Sequence, residues 1–159
     1  MRRFLLIAAA LLPFALRDAR AAEASFAVIV SMDVPAGAIT RDAIEAIYRR
    51  RQTFWNNGSR VQPANLPAND TLRRAFSQCI LGQTPEQTEG YWREMYFHGV
   101  LPPHVVASEQ AMTMFVASNA GAVGYVAACP PDPGFAVVLT FGNVPNCPRH
   151  PATCAVLQE

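Results

Sequence analysis

Apolar residues in this chain follow two patterns, short unbroken runs and helically spaced faces, and the two alternate. Residues 26–30, FAVIV, are an unbroken run, which suits a central strand covered on both faces. After a turn at residues 33–37, Thr40 offers an N-cap hydroxyl, and Ile44, Ile47 and Tyr48 recur on one helical face. Arg49, Arg50 and Arg51 stand at the end of that helix, where cations suit the negative dipole end. Trp55, Asn56, Asn57 and Gly58 read as a turn. Residues 60–65, RVQPAN, read as a short strand, which Pro63 assigns to a sheet edge.

A second helix is predicted over residues 71–81, stopped by Gly82. Thr84, Pro85 and Gln87 form a capping-box signature for a third helix that runs to about Phe97. Pro102 and Pro103 break it, and Val105 and Val106 suggest a short strand. Ser108 caps a fourth helix through Ala117, with Met112, Phe115 and Val116 inward. Residues 122–126 and 135–141 complete the strands. Helices alternating with short apolar strands predict an α/β layer fold with a largely parallel sheet.

The N-terminus changes the charge picture. Arg2 and Arg3 precede an apolar run at residues 4–16, FLLIAAALLPFAL, which is too short to span a bilayer. This reads as a secretory leader (residues 1–21) with cleavage after Ala21 or as late as Ala24, which implies a periplasmic protein with no membrane span once the leader is removed. Without Arg2, Arg3, Arg17, Arg20 and Asp18, nine basic and eleven acidic residues remain, so the formal charge of +1 becomes −2. No basic stripe with interleaved aromatics appears, which argues against a nucleic acid partner. The expected organisation is one lobe at residues 22–142 and a Cys- and Pro-containing tail at 143–159.

Two phrases carry a family resemblance: residues 39–58, ITRDAIEAIYRRRQTFWNNG, and residues 121–126, GAVGYV. In this order they resemble the second lobe of PstS-like phosphate-binding proteins of ABC transporters, a type 2 periplasmic-binding family. The resemblance covers roughly residues 26–141 and only that lobe. It implies a three-layer α/β lobe with a mostly parallel mixed sheet and helices on both faces. It also implies binding of phosphate or a related oxyanion in an ABC transport context.

The site so implied lies before the second helix. The family's loop typically reads R-x-D-G-S-G-T, and the matching stretch here, residues 65–71, is N-L-P-A-N-D-T. Asn69, Asp70, Thr71 and Arg73 would contact the anion, with Ser108 at the neighbouring helix start. Asp70 and Thr71 keep the acid and the hydroxyl, but the glycines and the leading Arg are gone, and Pro67 removes a donor amide. Asn69 or Asp70 also reads as an ordinary N-cap, worth about 1 kcal/mol. A lone lobe leaves half of an anion hydrated, so weak phosphate binding is expected unless two chains pair into a cleft. An ABC permease or another envelope protein is the other candidate partner. The alternative function is a ligand-free interaction or accessory module that keeps only the lobe fold.

Other chemistry is thinner. Cys79, Cys129, Cys147 and Cys154 fit an oxidising compartment, and the pairing favoured is Cys147–Cys154 with Cys79–Cys129. Cys147, His150 and Cys154 could bind a metal, but a disulfide loop with a surface His is the preferred reading. His98 and His104 read as loop histidines. Trp55, Tyr91, Trp92 and Tyr96 read as core aromatics rather than a stacking platform. No G-x-S-x-G, H-E-x-x-H or P-loop pattern occurs, so a non-enzyme without a cofactor is expected.

Overall fold

A computed structural model describes residues 25–35, 37, 39–127, 134–142 and 147. The expected leader and most of the expected tail fall outside these residues. The order of elements is β1 (Phe26–Val30), α1 (Arg41–Tyr48), β2 (Gln62–Asn65), α2 (Thr71–Phe76), α3 (Glu89–Phe97), β3 (His104–Val105), α4 (Glu109–Ser118), β4 (Ala122–Ala127) and β5 (Ala136–Phe141).

The strands form one mixed sheet in the order β3-β2-β4-β1-β5. β1 runs antiparallel to both β4 and β5, and β2 runs parallel to β3 and β4. All five residues of β1 are buried, as its unbroken apolar run requires. Adjacent β4 residues point to opposite faces. Gly124 packs under Met112 and Val116 of α4, and Tyr125 stacks on Phe76 of α2 with ring centroids 3.9 Å apart. Helices therefore cover both faces. On the α1–α2 face, Phe26, Tyr48, Phe76 and Tyr125 form a continuous aromatic cluster.

β2 is an interior strand, which corrects the edge placement expected from Pro63. The Gln62 amide donates to the Gly121 carbonyl at 3.0 Å, on the β4 side. In an extended strand the next nitrogen faces the other way. There β3 begins only opposite Ala64, so the missing Pro63 amide costs no ladder bond.

The caps follow the sequence closely. Thr40 accepts from the Ala43 amide at 3.1 Å, and Ser108 accepts from Ala111 at 3.1 Å. Thr84 and Gln87 make reciprocal bonds, Thr84 N to Gln87 Oε1 at 2.9 Å and Gln87 N to Thr84 Oγ1 at 3.4 Å. A 3₁₀ turn over Glu86–Thr88 then leads into α3. After Phe76 the second helix loosens into a π turn, Ser77–Leu81, and Gly82 ends it at φ 67°.

Two expectations fail. Cys79 in the π turn is bonded to Cys147, with Cα atoms 5.2 Å apart, so neither expected cysteine pair forms. The bond ties the second helix to a residue beyond β5 across a separation of 68 residues. Cys129 and Cys154 lie outside the described residues. Among the four supposed core aromatics, Trp55 is buried, but Tyr91 and Trp92 are half-buried and Tyr96 is exposed. α3 buries none of its residues, so its helical spacing does not mark a core face here.

Candidate functional site

β2, β3 and β4 run in the same direction, so their C-terminal ends share one edge of the sheet. The chain leaves β2 there through the 66–70 loop into α2 and leaves β3 through Val106 and Ser108 into α4. Such edges are the usual ligand crevices of α/β sheets, because helix starts and strand ends converge there. The structure thus brings Asn69, Asp70, Thr71 and Arg73 to the same edge as Ser108.

The donors at this edge are largely engaged within the chain. Asp70 is the N-cap of α2, and its Oδ1 accepts the Leu72 amide at 2.8 Å and the Arg73 amide at 3.1 Å. Ser108 is committed to the Ala111 amide. The Ala127 amide, at the end of β4, donates to Glu109 Oε2 at 2.6 Å. Asn69 and Thr71 are exposed.

Arg73 is the exception. It sits in the first turn of α2, where side chains lean back toward the helix start. Only 8% of it is exposed, and its Nη1 has no hydrogen-bond partner. Its charge is felt by the two buried phenols beneath the loop. Burial pushes the Tyr48 and Tyr125 hydroxyls well above the usual range, and the Arg73 charge partly opposes this. Both phenols therefore remain protonated donors. Tyr48 donates to the Ala64 carbonyl at 2.8 Å. Tyr125 accepts the Leu66 amide at 3.1 Å and donates to Asn65 Oδ1 at 3.3 Å. These bonds fix the loop from below. The helical spacing places Tyr48 on the buried face but does not show the part that either hydroxyl plays, although a Tyr inside an apolar strand such as GAVGYV signals a hydroxyl that needs a buried partner.

The histidine expectation resolves to packing for His104, whose ring stacks on Phe115 at 5.5 Å. No group of three potential metal ligands occurs among the described residues. No helix among them is long and apolar enough to cross a membrane.

The fold is the α/β lobe found in phosphate-transport receptors. An ABC-type phosphate transport receptor from Vibrio cholerae superposes with a TM-score of 0.59 at 22% identity, covering 73% of this chain and 46% of that one. A phosphate ABC transporter substrate-binding protein with bound phosphate from Clostridium perfringens gives 0.58 at 17% identity, covering 74% and 45%. PstS from Borrelia burgdorferi gives 0.50 at 14%, covering 67% and 42%. The chain spans less than half the length of these structures. No family model and no curated protein matches it.

Proposed function

We propose that this chain is a solute-binding-like lobe that takes phosphate or a related oxyanion at the shared strand edge, weakly as a monomer, in an ABC transport setting. Arg73 carries this reading. A buried guanidinium nitrogen without a partner costs about 1–3 kcal/mol, and an oxyanion bound to it would remove that cost. Asn69 and Thr71, at the start of the same helix, are exposed and carry amide and hydroxyl donors. The likeness to a phosphate-bound receptor supports the ligand class. The Vibrio and Clostridium structures are named as a transport receptor and a substrate-binding protein, which agrees with a binding role.

Calorimetry with inorganic phosphate and sulfate tests the proposal. Millimolar-range binding is expected, and Arg73→Met should abolish it. Asp70→Asn keeps a competent cap and removes a repelling charge, so it should bind phosphate more tightly. Binding that survives Arg73→Met, or none in either the wild type or Asp70→Asn, refutes the assignment.

A second reading rests on a specific observation. The Asp70 and Glu109 carboxylates already hold the amides of Leu72, Arg73 and Ala127, which an anion would otherwise use. On this reading the lobe is a ligand-free envelope interaction module. Native mass spectrometry that finds no bound anion, together with a stoichiometric partner recovered from envelope extract, would favour it.

A further inference from the structure

We propose that a groove at the opposite end of β2 binds an organic oxyanion, a carboxylate or phosphate ester carried on a flat apolar body, through Arg50 and Arg60. The groove encloses about 580 Å³, within the usual size of small-molecule sites. Arg60 precedes β2, and Leu101, Pro103 and His104 lead into β3, so the groove lies away from Asp70 and Ser108. It is independent of the phosphate reading.

Its charge is one-sided. No carboxylate lines it, and neither arginine belongs to an ion pair among the described residues. The buried Nε of Arg50 has no hydrogen-bond partner. Burial and the neighbouring Arg60 charge both lower the Arg50 pKa, so the two cations repel one another with no internal anion to relieve them. Guanidinium forks match carboxylate and phosphate oxygens, and a bound oxyanion between them would offset the repulsion.

Arg50 is also held in an unfavourable backbone state. Its φ is 59°, just past the end of α1, where glycine is the usual residue. The Arg50 amide donates to Ile47 at 2.9 Å, and Tyr91 Oη donates to the Arg49 carbonyl at 2.6 Å, which fixes this turn. An arginine kept where glycine costs less is explained by a use for its side chain. Apart from Gln62, whose amide nitrogen donates to the Ala120 carbonyl at 2.8 Å, the remaining wall is apolar or aromatic. Phe115 underlies the His104 ring, with the planes 23° apart, and gives a flat ligand a surface to stack on.

The test uses phenyl phosphate and benzoate as probes, with inorganic phosphate for comparison, on the purified protein and on Arg50→Gly and Arg60→Ala. Glycine suits φ 59°, so Arg50→Gly should fold with equal or higher Tm. Saturable binding of at least one probe is expected, weakened at least about tenfold in each variant. Amide resonances of Arg50, Gln62 and His104 should move with the probe, while those of Asn69 and Thr71 stay in place. The inference is overturned if neither probe saturates by about 10 mM, or if binding is unchanged in both variants.

Discussion

The indole of Trp55 donates to the carbonyl oxygen of Gly121 at 2.9 Å, joining positions 66 residues apart. The same carbonyl receives the Gln62 amide, and the Gly121 amide donates to the Asp33 carboxylate at 3.0 Å. Gly121 itself has φ 73°, and a Cβ there would overlap the Arg60 carbonyl oxygen. Gly121→Ala should therefore cost at least about 2 kcal/mol, from the left-handed backbone and the overlap together. Trp55→Phe keeps most of the apolar body and should cost about 1 kcal/mol. Urea denaturation checks both, and equal stability of Gly121→Ala and wild type would contradict the geometry.

Tyr125→Phe removes the acceptor of the buried Leu66 amide and the donor to Asn65. The stranded amide should lower stability by about 1–3 kcal/mol. Hydrogen exchange at Leu66 should accelerate in this variant, while exchange within β1 should change only as far as global stability does.

The Cys79–Cys147 bond closes a separation of 68 residues, which in the chain-entropy picture contributes about 4 kcal/mol. Cys147→Ser should lower the denaturation midpoint, and reductant should then lower it no further through this pair. Peptide mapping without reduction should recover residues 79 and 147 cross-linked.

Acid sensitivity has a local source in Glu86. Its hydrogen bond with Arg74 holds its carboxyl at about 2, below the ordinary 4.5. A folded-state value below the unfolded one means that this contribution is present above about pH 4.5 and is lost as pH falls toward 2. Glu86→Gln should flatten that part of the acid limb at low ionic strength. Both partners are exposed, so added salt should erase the difference between variant and wild type.

Local chemistry was legible wherever one residue decides the backbone. Thr40, Ser108 and the Thr84–Gln87 box cap as their side chains dictate, and Gly82 terminates its helix in the left-handed region. The β1 run and the Ile44, Ile47 and Tyr48 face were equally readable, because burial itself imposes their pattern. Long-range partners were not. Pro63 looks like an edge residue until β3 is seen to begin one residue later. Cys79 could not be matched to Cys147 from spacing alone, because four cysteines allow three pairings and the bonded pair lies 68 residues apart. The α3 aromatics are spaced as a core face would be, but spacing does not reveal whether a neighbour covers them. At the candidate site the Asp70 cap was foreseeable, whereas the unpartnered Arg73 and the groove of Arg50 and Arg60 required three-dimensional contacts.

The first strand of this sheet finds its partners only in the last two. Nothing made early in the chain can cover both sides of β1 until residues near 141 have arrived. Closure over such sequence distances is slow, so the newly made polypeptide stays open and threadable for most of its synthesis. A nascent chain truncated before β5 leaves one side of β1 unpaired and should be cleared by proteases rather than accumulate.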